Sequence, residues 1–173
     1  MKKNNKGFTL LELIVIVAII AVISGLAAVS LFPILSTAAK QAATSAKAMI
    51  YQCKTDCMAK DPDKTCLVLE NTEGRILATY YEGDLTTEVS SEKLSKHKVT
   101  LTYGGTTLQE GEKLFLNFDK STGSLHHFGV ADALENAAVA VADTNCLITL
   151  TSGSTTYELQ LDPLTGVCKL KKQ

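Results

Sequence analysis

Between Phe8 and Leu35 the chain reads FTLLELIVIVAIIAVISGLAAVSLFPIL, an apolar run in which Glu12 is the one ionisable side chain. About 28 residues in a helix rise roughly 42 Å, more than the ~30 Å hydrocarbon core of a bilayer. The run therefore predicts a membrane-spanning helix over 8–35. Lys2, Lys3 and Lys6 precede it with no acid among them, so this leader stays cytoplasmic and the later residues lie outside. The net charge of −1 gives no basis for a general nucleic-acid or anionic-surface binder. A cleavable secretory signal would have a shorter apolar core and a small-residue cleavage site after it. Ala27 and Ala28 offer such a site, so that alternative stays open on pattern alone.

Glu12 argues against both a plain anchor and a plain signal. A carboxylate inside an apolar helix costs on the order of a few kcal/mol. A Glu near the membrane interface, reaching out to water, is the bland alternative. It leaves unexplained why Glu12 follows Phe8-Thr9-Leu10-Leu11 and a glycine that closes a basic leader.

Lys6-Gly7-Phe8-Thr9-Leu10-Leu11-Glu12, continued by Leu13 to Ile20, resembles the prepilin cleavage and methylation motif of type IV pilins and type II secretion pseudopilins. The resemblance implies that residues 1–7 are a leader removed by a prepilin peptidase cutting after Gly7. Phe8 is then the new N-terminus, methylated on its amine, and Glu12 supports methylation and assembly. The chain is thereby a substrate of a peptidase and methyltransferase, and not itself an enzyme. The physical logic agrees. A free ammonium on Phe8 and a carboxylate on Glu12 are each costly in an apolar helix bundle, and Glu12 of one subunit facing Phe8 of another neutralises both. A slipped register leaves two buried charges unpaired, and apolar area between helices supplies most of the cohesion. The family commonly has Gly where this chain has Ala21 and Pro where it has Val29. Here the helix breakers are Ser24-Gly25 and Pro33, so Pro33 is expected to kink or break the helix near Val29–Pro33, and any unwound stretch of the family type is expected to shift toward Ser24–Pro33.

The second half of the predicted helix is amphipathic. Leu35, Ala39, Ala42, Ala46, Met49, Ile50, Cys53 and Cys57 recur at spacings of three and four, while Lys40, Gln41, Thr44, Ser45, Lys47 and Lys54 fall mostly off that stripe. Asp61-Pro62-Asp63 stops the helix, so one helix is expected over 8–60.

From Thr65 the pattern changes to short β-type runs bounded by turn residues. Cys66–Glu70 and Arg75–Tyr81 flank Asn71 to Gly74; Val99–Tyr103 and Thr106–Gln109 flank Gly104-Gly105. Leu114–Phe118 and Ser124–Phe128 flank Asp119 to Gly123. Cys146–Leu150, Tyr157–Leu161 and Val167–Leu170 form a terminal meander, and Ala131–Ala142 is ambiguous between helix and strand. The expected fold is α+β: a long N-terminal helix, half transmembrane and half amphipathic, packed on an antiparallel β-sheet head over 61–173.

The cysteine count of five is odd. Cys146 with Cys168 would close a loop of about 23 residues, stabilising by about 3 kcal/mol in the chain-entropy model. Cys57 with Cys66 would bridge helix and first strand. Cys53 with Cys57 is less suited to the narrow geometry of a disulfide, which leaves Cys53 a buried small hydrophobe. Cys53, Cys57 and Cys66 match no closed zinc pattern, and His126 and His127, adjacent on a strand, are expected to face opposite ways. No metal or cofactor is predicted. Lys169, Lys171 and Lys172 make a basic C-terminal end, either a solvated tail or a weak DNA contact.

The function expected from the motif is a structural subunit of a type IV pilus or pilus-like filament. Such a prepilin is a single-pass cytoplasmic-membrane protein before assembly and part of a cell-surface filament afterwards. Its partners are itself, other pilins, the prepilin peptidase, the inner-membrane assembly machinery and the membrane. The alternative is a minor pilin or pseudopilin of type II secretion or DNA uptake, acting at a tip.

Overall fold

A computed structural model describes residues 9–83, 88–141 and 145–173, with residues 25–35 as backbone only. The chain divides into two compact units, Met1–Ile34 and Leu35–Gln173. One helix, α1 (Leu10–Ala59), runs from the first into the second. Pro33 lies inside α1 and does not end it, against the expected break. A helical proline removes one backbone hydrogen bond at a cost of about 3 kcal/mol, a loss that a long run of Leu, Ile and Ala can carry. Among the described residues no helix is long and apolar enough to cross a membrane; of the expected span 8–35, residues 25–35 contribute backbone only. The helix stops where Pro62 disfavours helical geometry in the residue before it. There Asp61 caps a short 3-10 turn, Pro62–Lys64, by accepting the Asp63 N–H at 3.2 Å.

The second unit is α+β, with two antiparallel sheets where the sequence suggested one. The first sheet comprises β1 (Thr65–Thr72), β2 (Arg75–Glu82), β3 (Glu88–Lys93), β6 (Lys113–Phe118) and β7 (Leu125–Val130) in the order β3-β2-β1-β6-β7. The second comprises β4 (Thr100–Tyr103), β5 (Thr106–Thr107), β8 (Leu147–Ser152), β9 (Thr155–Leu161) and β10 (Cys168–Lys172) in the order β10-β9-β8-β4-β5. The β1–β2 hairpin turns through Glu73 and Gly74, both at positive φ, the backbone that matches the strand twist in a two-residue turn.

One core joins α1 to both sheets. Ala38, Ala42, Ala43, Ala46, Ile50, Cys53 and Cys57 pack with Leu67 and Leu69 of β1, Leu114 and Leu116 of β6 and Ile148 and Leu150 of β8. The alanines and Ile50 are all fully or almost fully buried in this core. Because strand side chains alternate, the other face of β1 and β6 is also apolar: Cys66, Val68 and Phe115 form a second cluster with Leu134 and Ala137. At the end of α1, the Tyr80 hydroxyl donates to Asp56 at 2.8 Å, and Lys60 Nζ lies 2.8 Å from Glu82 and 3.7 Å from Asp56.

Two sequence readings change. The strand β3 was not expected; Glu88-Val89-Ser90-Ser91-Glu92-Lys93 is exposed throughout and has no apolar face to mark it. Ala131–Ala142 was ambiguous. Its described part holds a 3-10 turn, Leu134–Asn136, and then lies along β7 through Phe128 N–H to Ala138 C=O (2.9 Å) and Ala140 N–H to His126 C=O (2.8 Å).

The turns β6–β7 and β9–β10 share a pattern, Asp119-Lys-Ser-Thr-Gly123 and Asp162-Pro-Leu-Thr-Gly166. In each, the aspartate Oδ1 accepts two backbone N–H groups: Ser121 and Thr122 at 2.9 and 2.8 Å, and Leu164 and Thr165 at 2.9 and 3.1 Å. The glycine N–H closes each turn on the aspartate carbonyl. The turns also meet. Leu125 N–H donates to Pro163 C=O at 2.9 Å, and a Cβ on Gly166 would fall 2.1 Å from the Gly123 carbonyl oxygen. Lys54 Nζ binds Thr165 C=O at 2.6 Å, so α1 and a turn from each sheet come together at this joint.

Candidate functional site

Gly7 and Phe8 lie outside the described residues, which begin at Thr9. The start of α1 is built by Thr9 and Glu12. Thr9 N–H and its hydroxyl each donate to Glu12 Oε2 at 3.0 Å, while Glu12 N–H donates back to Thr9 Oγ1 at 3.2 Å. Leu13 N–H donates to the Thr9 carbonyl at 3.2 Å. This is a capping box, the reciprocal S/T-x-x-E arrangement at a helix N-terminus. Sequence reasoning assigned Glu12 a role and overlooked Thr9, although Thr9-Leu10-Leu11-Glu12 displays the spacing. The box holds the carboxylate on the first turn, where the helix macrodipole favours negative charge.

Beyond it, every Leu, Ile and Val from Leu10 to Ile23 is exposed, at 44 to 78 %. Ser24 donates its hydroxyl to the Ile20 carbonyl at 2.7 Å, hiding its polarity within the helix. The described surface from Leu10 to Ser24 is thus an apolar cylinder with one carboxylate at its tip. A surface of that kind can bury itself against lipid or against other apolar helices.

All five cysteines are buried thiols. Neither pair expected to bridge is brought together. Cys146 and Cys168 flank the same residue of β9: Leu161 pairs with Cys168 on one side and donates its N–H to Cys146 C=O at 3.0 Å on the other. A whole strand separates them, about 10 Å at normal strand spacing, beyond the ~7 Å that a disulfide spans. Cys57 belongs to the main core, whereas Cys66 points to the opposite face of β1. The sulfurs that do approach are Cys53 and Cys57, 3.9 Å apart. Burial pushes the Cys66 thiol up to about 12 and those of Cys146 and Cys168 up to about 11. The Cys57 contact, then burial, raises Cys53. Such thiols stay protonated and unreactive near neutral pH.

His126 and His127 meet edge to face with ring centroids 4.4 Å apart, where opposite faces were expected. An irregularity in register at Asn117/Phe118 breaks the strict alternation. His127 Nδ1 lies 2.9 Å from the Ala137 carbonyl. Among the described residues no group of three His, Cys, Asp or Glu side chains is placed to hold a metal ion. Lys169, Lys171 and Lys172 are exposed on β10, the edge strand of the second sheet.

Residues 2–28 match the family model of the prokaryotic N-terminal methylation motif, the signature of type IV pilins and pseudopilins. Comparison with curated proteins and with solved structures finds no match for the chain.

Proposed function

Starting from a chain that carries the methylation signature of type IV pilins and pseudopilins, we propose that it is a structural subunit of a pilus-like filament. The chain enters the membrane as a prepilin with its head outside. Water hydrolyses the Gly7–Phe8 peptide bond, leaving a carboxylate on Gly7 and an ammonium on Phe8, and the new amine is methylated. Subunits then pack through α1, and Glu12 of one pairs with the Phe8 amine of another.

The observation that carries this reading is the exposed apolar surface from Leu10 to Ile23 with one carboxylate at its N-terminal tip. At ~25 cal/mol per Å2 of apolar area, burial of such a surface is strongly favourable in lipid or between helices. One charge at a fixed position adds register, since an unpaired carboxylate in that setting costs several kcal/mol.

Mass spectrometry of isolated surface filaments tests the reading. Peptides beginning at methylated Phe8 are expected, and filaments whose subunits retain Met1–Gly7 would overturn it. Glu12→Ala is expected to permit cleavage and to lower filament yield sharply; an unchanged yield removes the charge-pairing step.

A further inference from the structure

The outer face of the first sheet, away from α1, holds a cavity of about 550 Å3. Cys66, Val68, Phe115 and Leu134 form its floor, all from the second apolar cluster. Its rim carries the carboxylates of Asp63, Asp132 and Glu135, with Tyr81 on the β2 side. Lys113 is the rim's ammonium, and it lies 3.9 Å from Glu70. Asp63 and Glu135 make no ion pair among the described residues, and Asp132 is bound by the Asn136 amide at 2.8 Å. An apolar, partly aromatic floor beneath an acidic rim suits a long side chain with an aliphatic stem and a cationic head.

The same unit displays that chemistry elsewhere. Lys169, Lys171 and Lys172 lie on β10, exposed, with no ion pair among the described residues. Lys169 and Lys171 share one face of the strand. β10 is the outer strand of the second sheet, whereas every residue lining the cavity comes from the first sheet or its flanking segments. An acidic cleft and a basic edge on different sheets of one chain are complementary surfaces for a heterologous contact between copies, the type that generates rings or open helical assemblies rather than isologous pairs.

We infer that the basic edge of β10 in one subunit docks into the acidic cleft over β1 and β6 of a second copy, with lysine stems on the Phe115–Leu134 floor and ammonium heads at Asp63, Asp132 and Glu135. This contact rests on the filament reading and adds a heterologous contact between the β-sheet units of neighbouring subunits to helix packing. Lysines on an edge strand also discourage indiscriminate strand pairing. That role requires charge but not a particular sign, and this separates the two roles experimentally.

Full-length chains are assembled with Lys169→Glu and Lys171→Glu, with Asp132→Lys and Glu135→Lys, and with all four together. All of these positions are surface or rim sites, and thermal unfolding checks that each head folds. Each reversed pair is expected to lower filament yield at least about tenfold, since like charges face each other across the contact. The four-fold variant restores the yield. Independently, carbodiimide treatment of filaments built from light and heavy isotope-labelled subunits forms amide bonds from Lys169 or Lys171 to Asp63, Asp132 or Glu135, joining light to heavy chains. Normal yield from the lysine-reversed chain, or no restoration by the four-fold variant together with no mixed cross-link, overturns the contact while leaving the filament reading in place. Normal filaments that lose duplex-DNA retention reassign the lysines to phosphate and also overturn it. If the unaltered chain forms no filaments, the filament reading itself fails, and the contact with it.

Discussion

The two halves of α1 are one helix with opposite surroundings. From Ala38 to Cys57 a stripe of small and medium apolar residues is buried by the chain's own sheets. From Leu10 to Ile23 the residues are larger and more apolar, yet all of those large side chains are exposed. A soluble fold would bury the more apolar half first. The inversion sets the distal half, whose apolar stripe is buried by the head, apart from the proximal half, whose large apolar side chains are exposed.

The largest expected effect separates the halves directly. Ile50→Ala should destabilise the head by about 2–5 kcal/mol, the usual range for a large-to-small change in a packed core. Ile16→Ala should leave head stability within about 0.5 kcal/mol. Denaturant unfolding of both variants checks this, and equal effects would dissolve the contrast. At the end of the distal half, Tyr80→Phe removes the hydroxyl that donates to Asp56. A loss of about 1–3 kcal/mol is expected on the same assay. At the other end, Thr9→Ala breaks the capping box. It should cost the helix start about 1 kcal/mol, read as faster amide exchange over Leu10–Leu13 with the head unchanged.

Two smaller effects concern the head alone. A thiol reagent near pH 8 should leave Cys66, Cys146 and Cys168 unlabelled in the native chain and label them after unfolding, because buried thiols titrating near 11 to 12 are not nucleophilic there. The Ser121 hydroxyl, then the Thr122 N–H and hydroxyl, hold the Asp119 carboxyl well below the usual carboxylate range. A lowered folded value means that its stabilising contribution is complete above the ordinary Asp value near 3.9 and is lost as pH falls through the folded value. The β6–β7 turn should therefore hold from neutral pH to about 4 and loosen only below. NMR titration of Asp119 checks this, and a midpoint at or above the ordinary value contradicts it.

Much of the fold was readable because local chemistry specified it. The 3.6-residue stripe marked the buried face of α1 around Ala42, Ala46, Ile50 and Cys53. Asn71 to Gly74, Gly104-Gly105 and the two Asp-x-x-Thr-Gly turns marked hairpins through backbone conformations that few other residues adopt. The strand β3 was hidden because its side chains touch no core; only hydrogen bonds to β2 make it a strand. The Ala131–Ala142 segment was ambiguous because alanine suits either period, and its course follows from pairing with β7. At the candidate site, Glu12 stood out as a lone charge, whereas Thr9 has an ordinary polar side chain until Glu12 is seen to bind it.

The sequence by itself determined the basic N-terminal segment, the lone carboxylate, the apolar and amphipathic halves of the helix and most of the hairpins, because each depends on residues close together in the chain. Tertiary structure alone decided that the strands divide into two sheets and that β9 separates Cys146 from Cys168. It also decided that Cys66 faces away from Cys57 and that an acidic cleft forms on one sheet while an unpaired basic edge forms on the other. Those outcomes depend on which distant strands become neighbours, and many chain segments satisfy the same local pattern before long-range packing selects one arrangement.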